Sequence, residues 1–292
     1  MKTPLHLGIA LLFFISGFAP THAQNFSRSG EKSSNVYRRS YQRMASGTNG
    51  NSSFEIRGGA LWACGKNDHG QLGDGTTTDR NSPVQVGTDT KWVSVAGGAL
   101  HTVALKSDGT LWAWGMNDYG QLGDGTTVDK NAPVQVGTDT KWVSLSKGTQ
   151  YTLALKSDGT LWAWGRNDYG QLGDGTTVDR HTPVQIGTDT KWASIASGRL
   201  HNIALKSDGT LWTWGWDIWE QLGNGPGRND VNVPTRIGTD NQWTQVGAGD
   251  DHSLALKSNG TLWAWGRNDY GQLGNGTTTM SDVPTQTGTD DK

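Results

Sequence analysis

LWAWGMNDYGQLGDG, residues 111–125, returns almost unchanged at 161–175 and 262–276, as LWACGKNDHGQLGDG at 61–75 and, strongly altered, as LWTWGWDIWEQLGNG at 211–225. The starts at Leu61, Leu111, Leu161, Leu211 and Leu262 set a period of 50 residues, with one extra residue in the fourth unit. A fixed period of this length signals a repeat architecture.

The unit Trp92–Lys141 is the clearest and lays out as short strands. Trp92–Ala96 is a β-like run stopped by Gly97-Gly98, and His101–Leu105 follows, with Val103 and Leu105 on one side because side chains alternate. Ser107-Asp108-Gly109 is a hairpin turn, since Asp-Gly tolerates positive φ. In Thr110–Trp114 the indoles of Trp112 and Trp114 project to one face, Leu111 and Ala113 to the other. Pro133–Val136 makes a fourth strand whose leading proline suits a strand start or an edge. Helical periodicity is lacking after residue 23, so each unit is a small antiparallel sheet of three or four strands. A sheet of this size, apolar on both faces, is not stable alone, and stacking such sheets around an axis makes a β-propeller.

The expected fold is therefore all-β, a propeller of about five units: 42–91, 92–141, 142–191, 192–242 and 243–292. The first unit is eroded, and Ala45-Ser46-Gly47 aligns loosely with Val95-Ala96-Gly97, Phe54–Arg57 with Val103–Lys106. Five units close as a ring or remain an incomplete larger propeller, and an open row of tryptophan-bearing edges predicts self-association.

Residues 1–23 read as a secretory signal peptide. Lys2 is positive, Leu7–Phe18 is apolar, and Thr21-His22-Ala23 supplies small residues for cleavage. About a dozen apolar residues are too few to span a bilayer, and no other segment is apolar enough, so the expectation is a secreted or periplasmic chain without membrane insertion. Residues 24–41, polar and serine-rich, read as a flexible leader. The net charge of −2 gives no basic field and argues against nucleic acid as a partner. Cys64 is the single cysteine, so intrachain disulfides are excluded. It stands where the other units have Trp114, Trp164, Trp214 and Trp265, and reads as a degenerate core position.

The runs VAGGALHTVAL (95–105), IASGRLHNIAL (195–205) and VGAGDDHSLAL (246–256), each followed by LWxWG and a QLG turn, resemble the repeat of the regulator of chromosome condensation family. The resemblance covers residues 92–292 and implies a β-propeller, usually of seven blades, acting as a protein-binding platform. Some members are nuclear exchange factors for a small GTPase that also touch chromatin, and exported ones include inhibitors of β-lactamase.

Catalytic chemistry finds little support in the residues. His101, His201 and His252 recur, but Tyr151 takes the same place, which points to a packed, hydrogen-bonded ring and not to a metal ligand. Asn117–Gly125 has oxygen ligands and glycines like a calcium loop, yet lacks the spacing and terminal Glu of an EF-hand, and Asx-Gly turns account for it equally. Glu55 and Glu220 are the only glutamates of the repeats and form no local pair for glycoside hydrolysis. Neither a phosphate loop nor a nucleophile elbow is present in the sequence. The expectation is a non-enzymatic chain without cofactor or metal.

Binding residues are sought where the units disagree. The pairs Ala99-Leu100, Thr149-Gln150, Arg199-Leu200 and Asp250-Asp251 occupy equivalent loops on one face. The fourth unit puts Trp216, Ile218, Trp219 and Glu220 into a turn that is polar elsewhere, and Arg228 into an insertion. Exposed tryptophans anchor interfaces or cover a neighbouring sheet, and both readings stay open. Gln150, Arg199, Asp250, Asp251, Trp216, Ile218, Trp219, Glu220 and Arg228 are the candidate contacts for an unidentified protein or, by stacking on sugar rings, a glycan.

Overall fold

A computed structural model describes residues 44–46, 51–97, 100–227 and 229–288. The signal-peptide and leader assignments and Arg228 lie outside the described residues. Tyr37–Lys292 clusters as a unit of its own. Among its described residues are five four-stranded sheets and no helix.

Every sheet is an antiparallel meander taken in chain order. In the second sheet the strands are Trp92–Gly97, His101–Lys106, Leu111–Gly115 and Lys130–Gln135. The other sheets run over 44–85, 142–185, 192–236 and 243–287. First strands of successive sheets pack together, which makes them innermost and the fourth strands outermost. Pro133 lies inside the fourth strand and not at its start; the strand is an edge with a register shift there, so the missing N–H breaks no ladder bond.

The first sheet corrects the loose alignment of its unit. Met44, not Ala45, takes the place of Val95, because Met44 faces Glu55 as Val95 faces Ala104. A longer loop after the first strand and a tighter turn at Gly58-Gly59 shift the register in opposite directions. Phe54–Arg57 does align with Val103–Lys106.

The core lies between sheets. Val103, Leu105, Leu111, Ala113 and Leu122 of the second sheet pack against Trp142, Ala154 and Trp164 of the third, and the pattern repeats along the row. One latch recurs at these interfaces. In the second, third and fourth sheets the second indole of the third strand reaches back to the preceding sheet, where Trp114 Nε1 donates to the Gln71 carbonyl at 2.9 Å, Trp164 to Gln121 at 3.0 Å and Trp214 to Gln171 at 3.1 Å; Trp265 of the fifth packs on the Gly223 loop in the same place, its Nε1 without a hydrogen-bond partner among the described residues. The same carbonyls accept a bond from Thr102 Oγ1, Thr152 Oγ1 and Asn202 Nδ2. The indole lies so close to the loop that a Cβ on Gly73 would sit 2.5 Å from Trp114 Nε1. At the opposite end of the strands, Lys106 ion-pairs at 2.7 Å with Asp89, in the link between the first and second sheets, and lies 3.5 Å over the Trp112 ring.

Packing of this kind joins each sheet to the next, and none joins the first sheet to the fifth among the described residues. The five described sheets thus form a row whose first and last members are not packed together as the others are. Cys64 is correspondingly not a core residue. It is half-buried on the free face of the first sheet with Ser53, Glu55 and Arg57, and no described sheet precedes it to receive an indole.

Candidate functional site

The antiparallel order puts two loops of every sheet on the same end of the strands: the one joining first to second strand, and the long one after the third. The first set is knitted across sheets, since the Thr149 N–H donates to the Arg199 carbonyl at 3.1 Å and the Arg199 N–H to the Asp250 carbonyl at 3.0 Å. On this frame two positions of the long loop decide the surface. One follows the glycine of the third strand and holds Lys66, Met116, Arg166, Trp216 and Arg267; the other holds His69, Tyr119, Tyr169, Trp219 and Tyr270.

The first position of one sheet lies over the second position of the sheet before it. Arg166 lies 5.1 Å from the ring of Tyr119 and 5.9 Å from that of Tyr169. Trp216 packs on Tyr169 with centroids 5.7 Å apart, and Arg199 covers Trp216 at 4.9 Å. Arg267 covers Trp219 at 4.6 Å and Tyr270 at 5.7 Å. The guanidiniums are tied down as well: Arg166 donates to Gln150 Oε1 at 2.8 Å and pairs with Asp168. Asp251 pairs with Arg199 at 3.0 Å and with Arg267 at 3.2 Å. The result is a ridge of alternating rings and guanidiniums, Tyr119, Arg166, Tyr169, Trp216, Arg199, Asp251, Arg267 and Trp219, across four sheets.

Seven of the nine residues expected at a site fall on or beside this ridge. Gln150, Arg199, Asp251, Trp216 and Trp219 are part of it, Asp250 is exposed beside it, and Ile218 is 42% exposed. Both tryptophans do cover neighbouring sheets while staying half-exposed. Glu220 is a correction, because it is 6% exposed and presents no carboxylate to a partner. It replaces Gly70, Gly120, Gly170 and Gly271 and keeps their left-handed backbone, φ 59°, the one positive φ of a non-glycine among the described residues. Arg166, Tyr119, Tyr169 and Arg267 were missed because a search for disagreement passes over residues that recur; the signal was the spread Lys, Met, Arg, Trp, Arg at the first position.

Beneath the ridge the rings at 101, 151 and 201 are structural. His101 Nε2 meets Thr152 Oγ1 at 3.2 Å, His201 Nε2 meets Ser253 Oγ at 3.0 Å, and the Tyr151 hydroxyl donates to Asn202 Oδ1 at 2.9 Å. Burial lowers both imidazoles to about 3, so they are neutral at physiological pH. In the fourth sheet, Asp217 takes the place of Asn117 and Asn167 and is fully buried. Burial pushes its carboxyl up to about 7, with Glu220 and Asp230 adding like charge against the bond from the Leu222 N–H. No three carboxylate, imidazole or thiol groups converge as metal ligands among the described residues.

The family model of the RCC1-like domain matches residues 60–292. The chain belongs to the RCC1-like domain family. A 40-residue stretch of this RCC1-like domain is 52% identical to the human E3 ubiquitin-protein ligase HERC2, covering 14% of the chain and 1% of the ligase. Yeast RCC1 (Prp20), solved bound to Kap60, superposes with a TM-score of 0.72 at 26% identity, over 85% of this chain and 63% of that one. A structure of Saccharomyces cerevisiae Prp20p, described together with its binding to Gsp1p and histones, gives 0.69 at 26% identity over 81% and 61%. The RCC1-like domain described here thus spans a small part of that ligase and under two thirds of each of these propellers.

Proposed function

We propose that this chain is an exported, non-enzymatic propeller scaffold that binds a protein partner through the ring and guanidinium ridge. The carrying observation is the ridge itself: four sheets contribute half-exposed aromatic and arginine side chains, held by stacking and ion pairs before any partner arrives. Pre-ordered tryptophan, tyrosine and arginine are the residue types that dominate protein interfaces, because little side-chain entropy is lost when they are covered. The exposed carboxylates Asp168 and Asp269 add charge selectivity, while the buried Asp251 holds the Arg199 and Arg267 guanidiniums in place. The yeast relatives, one solved bound to Kap60 and one described together with its binding to Gsp1p and histones, support a protein-binding role. Export is supported by residues 1–23 alone.

The test is retention of proteins from the secreted and envelope fractions on the immobilised chain, compared with Trp216→Ala and Arg267→Ala. A partner bound at least about tenfold more weakly by both variants, at unchanged melting temperature, is the expected result. The half-exposed indoles of Trp216 and Trp219 also suit stacking on sugars, so the same proteins are run on a glycan array; a glycan lost with Trp216→Ala, and no protein partner, favours carbohydrate recognition. A third reading, a regulator of nucleotide exchange, requires an intracellular chain. Mass spectrometry of the N-terminus is expected to find cleavage after Ala23, and an intact N-terminus in the cytoplasm would revive that reading.

A further inference from the structure

Between the third and fourth sheets lies a cleft of about 320 Å³, at the lower end of the size range of small-molecule sites, roughly 300–1,000 Å³. None of the residues that line it belongs to the ridge. Trp192, which opens the first strand of the fourth sheet and is 3% exposed, lines it together with half-exposed Trp212. Val233 and Pro234 of that sheet's fourth strand extend the apolar side. The third sheet supplies Gln185, exposed at the end of its own fourth strand, and the link between the two sheets supplies Asp189.

Two properties of this lining select an occupant. The first is a donor that lacks an acceptor: Trp192 Nε1 is buried and has no hydrogen-bond partner among the described residues. Trp212, beside it, gives its own N–H to Thr210 Oγ1 at 2.9 Å. A buried N–H without an acceptor is costly, so an oxygen that enters the cleft and accepts from it is held there. The second property is that the charges are already matched. Lys206 pairs with Asp189 at 2.7 Å and lies 3.5 Å over the Trp212 ring, and Arg180 pairs with Asp174. An ion would have to break a pair on entering, whereas a neutral molecule breaks none. What the cleft offers is thus an indole N–H, the Gln185 amide, the further lone pairs of Asp189 and an apolar, partly aromatic side. Hydroxyl groups both donate and accept, and a pyranose carries several of them around a ring whose C–H face is apolar.

We infer that this cleft binds one neutral sugar residue, an oxygen of which accepts from Trp192 Nε1 while Gln185 and Asp189 bond other hydroxyls and Trp212 and Pro234 meet the C–H face. The interface of the fourth and fifth sheets shows how the lining can be altered without harm to the fold. There Arg236 stands opposite Trp212 as Gln185 stands opposite Trp162, and its guanidinium donates to the Thr239 carbonyl at 2.9 Å. The cleft stands on its own residues, so its failure leaves the ridge reading untouched.

The test follows the indole N–H itself. The full chain, with nitrogen-15 in its indoles, is titrated in the NMR tube with glucose, galactose and mannose, and with the 2-amino and 6-carboxylate forms of each. The Trp192 signal is assigned by its loss in Trp192→Phe. A saturable shift of that signal by at least one neutral sugar is expected, with binding at least about tenfold weaker for both charged forms of that sugar. Gln185→Arg, which gives this sheet the residue that the next one carries, is expected to abolish the shift at an unchanged melting temperature. Trp216→Ala, on the ridge, is expected to leave it intact. A Trp192 signal that no sugar moves means a cleft that holds water only, and overturns the proposal. So does a charged form that binds as tightly as the neutral one, or a shift that survives Gln185→Arg. A shift lost with Trp216→Ala overturns it as well, since the sugar would then sit on the ridge.

Discussion

The third and fourth sheets carry the same strands and the same buried latch, yet their long loops are organised by opposite means. In the third, the Asn167 amide sits in a cage of oxygens and donates to Asp174 Oδ1, to the carbonyls of Thr176 and Val178 and to Thr176 Oγ1, at 3.0 to 3.3 Å. In the fourth, Asp217 has no such donor, its Oδ2 lacks a hydrogen-bond partner among the described residues, and Glu220 holds a backbone conformation that the other sheets give to glycine. Several bonds survive in both: the leucine N–H donates to Asn167 Oδ1 or Asp217 Oδ1 at 2.9 Å, the N–H of residue 167 or 217 donates to Asp179 or Asp230, and that of Tyr169 or Trp219 to Gln171 or Gln221 Oε1. Both leucines stay fully buried. The scaffold thus keeps the bonds that shape the loop backbone and tolerates the loss of the amide cage, while the surface changes: Trp216 and Trp219 stand where the third sheet has Arg166 and Tyr169.

The strongest way to break the comparison is to remove neighbouring indoles of the fourth sheet. Trp214→Ala empties a fully buried latch and is expected to cost about 3–5 kcal/mol in denaturant unfolding. Trp216→Ala, two residues on, is expected to cost less than about 1 kcal/mol while weakening the partner. Next, Asn167→Asp imports the fourth loop's defect into an intact cage, with an expected loss of about 3 kcal/mol at pH 8, read by the same method.

The reverse change, Asp217→Asn, sharpens the contrast. The folded carboxyl is raised from 3.8 to about 7, so between these values the folded state holds the extra proton and stability falls as pH rises through the window. Melting temperatures from pH 4 to 8 are expected to show this slope in the native chain and a flatter one in Asp217→Asn, with a gain of about 1–2 kcal/mol at pH 8. Smallest is Glu220→Gly, which relieves the left-handed backbone and is expected to add about 1 kcal/mol, and which flattens that slope slightly because a like charge beside Asp217 is removed.

Most of the architecture was legible because it is written several times over. The alternation of Leu111, Trp112, Ala113 and Trp114 fixed which face meets which neighbour, and the substitution of His by Tyr at position 151 revealed a packed ring. Position 64 was misread because a single odd residue looks like drift until its half-buried place, with no described sheet packed on that face, is seen. The register of Met44 was hidden by two length changes that nearly cancel. Of the candidate site, the disagreement between units exposed Trp216, Trp219, Arg199, Gln150 and Asp251. It could not show that Arg166 and Arg267 join them, since that depends on which sheet lies beside which loop. Glu220 was taken for a contact because a charged side chain usually faces water, and the backbone turn that carries it inward leaves no mark in composition.

The latch between sheets has a direction. Trp114, Trp164 and Trp214 each reach toward the N-terminal neighbour, to an acceptor 43 residues earlier in the chain that also serves Thr102, Thr152 or Asn202 from 31 residues away. Emerging from a ribosome, each acceptor loop is therefore already made when its indole arrives. Each of these interfaces is completed by the next fifty residues, so synthesis can lay the sheets down one after another in the order in which they are read.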